Sequence, residues 1–285
     1  MADKISWFDA NGTEHVFNTD IKVLDGMNGH FMPPISFVEE QVPFHEGSKL
    51  RQVRVEPRDV DIPVYIEYKN EIELRQKMRK TLRIFNPLKA DGKLKVFAPD
   101  GSQRELFCRY STGLEGREDV DEKGFYWQKI ILVFHAFDPF WYDTVTKVET
   151  FTTGQPATFF PFFPLRLSAS SVFADATIDN TGDVESYPEW IIKGAGENIV
   201  LRNLTTGQLL QLNTSLQVGE SITIDTRPNK QTIRKSDGTN LFYTISDESS
   251  LWSLEAGLNN IRIEMGNSTA DSSVQLSYKN RYWSV

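Results

Sequence analysis

The sequence lacks the features on which secreted and membrane-inserted proteins depend. It contains a single cysteine, Cys108, and one thiol cannot form an internal disulfide, so folding does not require an oxidising compartment. The first residues do not show the basic and then apolar pattern of a signal peptide. No apolar run approaches the roughly 20 residues needed to cross a bilayer. We therefore expect a protein that is made in the cytoplasm and is not inserted in a membrane.

Positive charge is also scarce. The chain of 285 residues has 31 Lys and Arg against 39 Asp and Glu, which gives a net charge of -8. Because phosphate contacts need clustered Lys and Arg, this balance argues against a general nucleic-acid binder. It argues equally against an anionic membrane surface as the partner. It is compatible with a surface past which DNA slides without adhering.

Sequence motifs of catalytic and cofactor-binding sites are missing too. The histidines lie far apart in the sequence and show no metal-ligand spacing. Neither the strand-turn-helix motif of a serine nucleophile nor a glycine-rich phosphate loop occurs. Carboxylates are plentiful, but no pair is marked for glycoside hydrolysis. The sequence therefore predicts no enzyme activity, no cofactor and no metal site.

What is abundant is the period-two alternation of β-strands. Glycine and asparagine turn signals separate short alternating segments through residues 186–285, and alternation places one face of each strand in a core and the other in water. This pattern favours a β-sandwich. Its alternating apolar residues are Ile222, Ile224, Ile261, Ile263, Met265, Val274, Leu276 and Tyr278.

The first half is predicted to be a β domain with one helix. The helix is expected from Glu71 to Phe85, with Asn70 as its N-cap and a proline after Asn86 to stop it. In the strand before it, Pro63 cannot donate to a ladder, so we expect a sheet edge or a bulge there. The apolar stripe of the helix is Leu74, Met78, Leu82 and Phe85.

Residues 25–50 combine turn formers with large apolar side chains. Prolines and glycines are spread through the segment, so we expect it to be irregular. An irregular segment this apolar should be covered, either by its own domain or by a neighbouring subunit. The candidate interface residues are Met27, Phe31, Met32, Ile35, Phe37 and Phe44.

The predicted organisation is a first domain over 1–142, a packed connector over 143–185 and a β-sandwich over 186–285. The connector contains the run Phe159–Pro164, in which phenylalanines that need burial alternate with prolines. Residues 111–124 form a polar, mostly acidic loop. Two tryptophans of the last domain, Trp190 and Trp252, have two interpretations: they are core or interface aromatics, or they form a platform on which a sugar ring stacks.

Several stretches, taken in order, resemble the siphophage distal tail protein family. The order and spacing of the stretches carry the resemblance, which spans nearly the whole chain. The stretches are Gly29–Pro34, Gly47–Leu50, Arg58–Ile66, Phe137–Tyr142, Asn180–Asp183, Gly219–Thr226 and Leu254–Asn259.

The resemblance implies a structural protein of the virion tail. It implies a hexameric ring at the distal end of a long non-contractile tail, with the tail tube on one side and the tail-tip or tail-associated lysin protein on the other. It also implies an N-terminal β-sandwich with one helix and a galectin-like C-terminal β-sandwich that can hold receptor-binding proteins.

A closed ring needs a heterologous interface, in which one patch of each copy meets a different patch of the next. The apolar 25–50 segment is our candidate for one side; the strand near Pro63 or the acidic 111–124 loop is the candidate for the other. DNA would only pass through the channel, and we expect Asp119, Asp121 and Glu122 to line it, since an acidic lumen repels duplex phosphate. The alternative function is a carbohydrate-binding adhesion module of a phage baseplate.

Overall fold

A computed structural model describes residues 4–17, 21–41, 43–44, 46–115, 123–152 and 172–285. The chain divides into two units: unit 1 comprises Met1–Thr144 with Tyr282–Val285, and unit 2 comprises Val145–Arg281. The prediction of a mainly β fold is confirmed, and the described residues contain a single α-helix. Because unit 1 takes up the last four residues, unit 2 is an insertion within it in the sense of chain order.

The elements of unit 1 run from residue 4 to residue 143. They are β1 (Lys4–Phe8), β2 (Glu14–Val16), β3 (Ile21–Val23), β4 (Ile35–Gln41), β5 (Ser48–Val55), β6 (Arg58–Glu67), α1 (Glu71–Ile84), β7 (Gly92–Phe97), β8 (Gln103–Thr112), β9 (Trp127–Ala136) and β10 (Trp141–Asp143).

The elements of unit 2 begin at residue 147. They are β11 (Lys147–Thr152), β12 (Val172–Asn180), β13 (Glu189–Asn203), β14 (Gln208–Asp225), β15 (Thr232–Lys235), a 3-10 turn (Phe242–Thr244), β16 (Gly257–Gly266) and β17 (Ser273–Tyr278). A short β18 (Arg281–Tyr282) marks the return of the chain to unit 1.

The core of unit 1 lies on one face of an antiparallel sheet with the strand order β2-β1-β7-β8-β9-β6-β3. Alternate residues of each central strand point into this core, as the period of a strand requires. Trp7, Phe85 and Phe134 meet there, with ring centroids 4.9–5.9 Å apart, and they join α1 to the sheet. Aliphatic rows from β6 and β9 complete the packing: Val60, Ile62, Val64, Ile66, Ile130 and Leu132.

Helix α1 matches its prediction at the start and departs from it along its buried face. The Asn70 side chain accepts a hydrogen bond from the backbone N–H of Glu73 at 2.9 Å, which confirms the N-cap. Leu82 of the predicted apolar stripe is exposed, and Thr81 is buried in its place, with its hydroxyl donating to the Lys77 carbonyl. A threonine can lie on the buried face of a helix because a backbone carbonyl of that helix accepts a hydrogen bond from its hydroxyl.

Pro63 lies in neither an edge strand nor a bulge, so that expectation is wrong. Strand β6 sits between β9 and β3, and Pro63 pairs with Ile131 of β9 in an unbroken register. The Pro63 carbonyl accepts from Leu24, on the side where β3 has already ended. Since the N–H and C=O of one residue point to the same side of an antiparallel strand, the missing N–H falls outside the β9 ladder.

Unit 2 has the strand order β11-β17-β13-β14-β15, and β12 joins through β16, which pairs with β13. Strands β11 and β12 lie within the segment 143–185, which was expected to be a connector; they pair with β17 and β16 instead. The run Phe159–Pro164 is outside the described residues. The galectin-like character of this unit stays a prediction.

A buried amide closes the loop between β12 and β13. Asn180 is fully buried, and its amide nitrogen donates to the carbonyls of Val184, Leu254 and Glu255 at 2.9–3.2 Å. Its side-chain oxygen accepts from the Gly182 N–H at 3.1 Å. One side chain therefore holds the loop 180–184 against the segment 254–255.

Replacing Asn180→Ala should lower the free energy of unfolding of unit 2 by about 3 kcal/mol, because buried carbonyls lose their donor. Urea unfolding followed by tryptophan fluorescence measures this. The matched control is the exposed Asn213→Ala, which should change stability by less than about 0.5 kcal/mol. Equal effects of the two substitutions would contradict the structural role of Asn180.

Candidate assembly interface

The segment expected to be irregular contains a regular hairpin. Strands β4 and β5 form a two-stranded sheet that pairs with no other described strand. Pro33 and Pro34 precede β4, and Pro43 and Gly47 lie between the two strands, so the turn formers flank the strands and do not interrupt them. The expectation of irregular structure through residue 50 is therefore wrong.

One face of this hairpin is apolar and exposed. Ile35 pairs with Val55, Phe37 with Val53, and Glu39, two positions further along the same face, pairs with Leu50. The register shift between Val38 and Glu39 inserts one extra residue in β5, as a β-bulge does. The exposed fractions of four of these apolar side chains, Ile35, Phe37, Leu50 and Val53, are 41–59%.

Apart from Glu39, the charges lie on the other face and near the tip. Arg51 pairs with Glu40, and Arg54 lies 3.5 Å from Glu56. These exposed ion pairs add little stability. An isolated two-stranded hairpin is at best marginally stable in water. Within the described chain, therefore, the apolar face of the hairpin is not covered, and few interactions stabilise the hairpin.

Five of the six candidate interface residues are exposed, either on the apolar face of the hairpin or in the loop and turn next to it. Phe31 and Met32 lie in the loop before β4, and Phe44 is fully exposed in the turn, with a positive φ of 64°. Ile35 and Phe37 lie on the apolar face. Met27 packs instead against the core of unit 1, and we remove it from the candidate surface.

A buried arginine at the root of the hairpin was missed by the sequence reasoning. Arg58 is 1% exposed, and its guanidinium donates to the carbonyl oxygens of Gly29 at 3.2 Å, Phe31 at 2.6 Å and Trp283 at 2.9 Å. Burial lowers the pKa of Arg58 to about 10, and the nearby charge of Asp138 opposes this shift. The side chain is therefore charged at neutral pH.

A signal for Arg58 was present in the sequence. It occupies the first inward position of the β6 alternation, ahead of Val60, Ile62 and Val64, which are fully buried. A charged residue in an aliphatic row is expected to be paired or hydrogen-bonded.

The other predicted site residues fall in two groups. Asp119, Asp121 and Glu122, the predicted channel residues, lie outside the described residues. Trp190 and Trp252 are 0% and 3% exposed, and their ring centroids lie 5.5 Å apart in an edge-on contact. The Trp252 indole N–H donates to the Leu201 carbonyl at 3.2 Å. These two tryptophans are core residues and offer no open face to a sugar.

The described part of the chain contains neither an activated thiol nor a group of metal-ligating side chains. Burial raises the pKa of the Cys108 thiol, so the thiol stays protonated and is a poor nucleophile. Within the ranges that the structure describes, no three His, Cys, Asp or Glu side chains are grouped as metal ligands would be. The helices described there are also too short or too polar to cross a membrane.

Replacing Trp252→Ala should reduce the free energy of unfolding of unit 2 by about 3–5 kcal/mol, since it removes a buried aromatic and leaves a cavity. Chemical denaturation measures the loss. Tyr243→Ala, at a side chain that is 80% exposed, is the control and should be nearly neutral. A stable Trp252→Ala protein would contradict the assignment of this residue to the core.

Comparison with known proteins adds a family and two solved structures. Residues 181–282 match the family model of the siphovirus-type tail component, C-terminal domain. No curated protein matches the sequence.

The fold is similar to that of two phage structures. The crystal structure of the Dit protein of phage SPP1, described as a paradigm of the hub adsorption apparatus in phages that infect Gram-positive bacteria, has a TM-score of 0.71. It shares 13% identity over 98% of this chain and 99% of its own. A chain of the phage P2 baseplate in its activated, calcium-bound conformation has a TM-score of 0.54 and 14% identity, over the full length of both chains.

Proposed function

We propose that this chain forms a hexameric ring, as the resemblance to siphophage distal tail proteins implies; the match of residues 181–282 to the siphovirus-type tail component family model supports this. The ring lies at the distal end of a long non-contractile tail. It joins the tail tube to the tail-tip or tail-associated lysin protein and has no catalytic role.

The observation that carries the proposal is the apolar face of the β4–β5 hairpin. Its exposed side chains have no covering element among the described residues of the chain. A heterologous ring supplies a covering surface from the next copy for every hairpin and leaves none exposed when it closes. Burial of such a face in a standard or larger interface, above roughly 1,600 Å², compensates for the marginal stability of the isolated hairpin.

The remaining parts of the proposal follow from charge and from the family. The acidic residues Asp119, Asp121 and Glu122 line the central channel, so that ejecting DNA passes without adhering. The C-terminal unit projects the surface to which receptor-binding proteins attach.

The alternative, a carbohydrate-binding adhesion module, has less support. Trp190 and Trp252 are buried. A surface groove of about 250 Å³ on β12 and β16 is lined partly by polar side chains that bond to one another. Arg262 donates to Asp175 at 2.8 Å, and Thr177 donates to Asn260 at 2.9 Å. Groups paired in this way would have to give up a partner to bind a sugar.

Substituting Phe37→Asp should abolish assembly of the purified protein at high concentration, because a carboxylate would have to be buried in the interface. Light scattering after size exclusion gives the mass. Gln52→Asp, which adds the same charge in register with Val38, is the control and should still assemble. Loss of assembly in both variants, or in neither, would contradict the role of the apolar face.

Replacing Asp119, Asp121 and Glu122 together by lysine should leave ring assembly intact and make the ring retain duplex DNA at low salt, with retention falling steeply as salt rises. Filter binding of assembled particles measures retention. Unmodified rings that retain DNA equally well would overturn the channel assignment.

A further inference from the structure

The loop that leads into the hairpin and the last residues of unit 1 meet at one buried guanidinium. Arg58 serves Gly29 and Phe31 on one side and Trp283 on the other. These residues are separated by more than two hundred positions in the sequence. The contacts therefore couple the root of the candidate assembly surface to a distant part of the chain.

The Trp283 carbonyl is held in place by its neighbours. The Trp283 and Phe140 rings have centroids 5.1 Å apart, and the Arg104 guanidinium lies 3.1 Å from the centroid of the Tyr282 ring. Arg104 also donates to Asp143 at 2.8 Å. Contacts of Tyr282 and of the Trp283 ring thus hold the residue that supplies the acceptor, and Val285 packs against the core of unit 1.

The root of the hairpin is fixed to β6 by backbone contacts. Asn28 and Asp61 exchange two backbone hydrogen bonds of 3.1 Å, and the Glu56 N–H donates to the Pro34 carbonyl at 2.9 Å. Gly29, at φ 77°, approaches β6 so closely that a Cβ atom would lie 1.9 Å from the Asp59 carbonyl oxygen. Between these fixed points, the loop 29–33 presents its carbonyls to Arg58.

We propose that Arg58 and residues 282–285 form a latch that fixes the root of the β4–β5 hairpin. The planar guanidinium fork reaches three carbonyl oxygens at once, which a lysine ammonium on its flexible stem does not reproduce. The Nε of Arg58 has no hydrogen-bond partner among the described residues, so the buried charge depends on these three acceptors and on Asp138. The latch is a property of the single chain. Its expected consequence, that an open root weakens ring assembly, rests on the proposed function.

The test is hydrogen exchange of the full-length protein, compared with a chain that ends after Tyr282 and with Arg58→Lys. The reporters are the amides of Asn28, Glu56 and Asp61, which bond across the root. Loss of a hydrogen bond to a charged group should speed their exchange about tenfold or more. Amides of the β7–β8 ladder and of unit 2 should keep their rates.

Arg54→Lys is the matched control, because this exposed arginine forms only a loose ion pair, with Glu56 at 3.5 Å. It should leave exchange at the root unchanged. If the shortened chain keeps the original rates at the root, the latch is wrong. If all of unit 1 loses protection together, with no earlier opening at the root, a local latch is also wrong; the truncated chain decides the matter where Arg58→Lys does not fold.

Ring assembly of the same variants separates the two proposals. Rates that stay unchanged refute the latch and leave the ring untouched. A root that opens while rings still form supports the latch and refutes its link to assembly.

Discussion

The need to bury apolar surface governs how this protein folds and how it can assemble. Both units meet it within themselves, through the aromatic cluster around Phe134 and the paired tryptophans of unit 2. The β4–β5 hairpin does not, because its apolar face is about half exposed and two strands alone are marginal in water. A protein that has a well-packed core and also exposes such a hairpin is suited to bury the apolar face of the hairpin against another copy. This is a physical reason for assembly that is independent of the match to a family model.

Arg58 shows how the fold positions the root of that hairpin through backbone carbonyls. A guanidinium in an aliphatic row costs solvation, and only well-placed acceptors offset the cost. Three carbonyls supply them, two from the loop before the hairpin and one from Trp283. The insertion of unit 2 between Thr144 and Tyr282 thus leaves a segment distant in sequence that supports the root. Rigidity at the root limits the entropy lost when the hairpin is ordered in an interface.

Local signals predicted local structure well. Alternation gave the strands, and the Asn70 cap placed the start of α1 to the residue. Pairing partners were harder, because strand β11 meets β17 across more than a hundred residues and nothing local in 147–152 announces it. Prolines misled twice. Pro63 fits a central strand because the side that lacks an N–H faces β3 at a point where β3 has already ended. Pro33 and Pro34 precede a strand that they were expected to prevent. Five of the six candidate interface residues are exposed, and their role in an interface stays a prediction; the core contact of Met27 and the backbone partners of Arg58 depend on tertiary contacts that no local pattern indicates.

The most direct measurement is a cryo-electron microscopy reconstruction of the assembled protein at a resolution that shows side chains. We predict a closed ring in which Phe37, Leu50 and Val53 are buried against the next copy, with the opposite hairpin face nearer solvent. A ring in which these three side chains face water, held together by other surfaces, would contradict it.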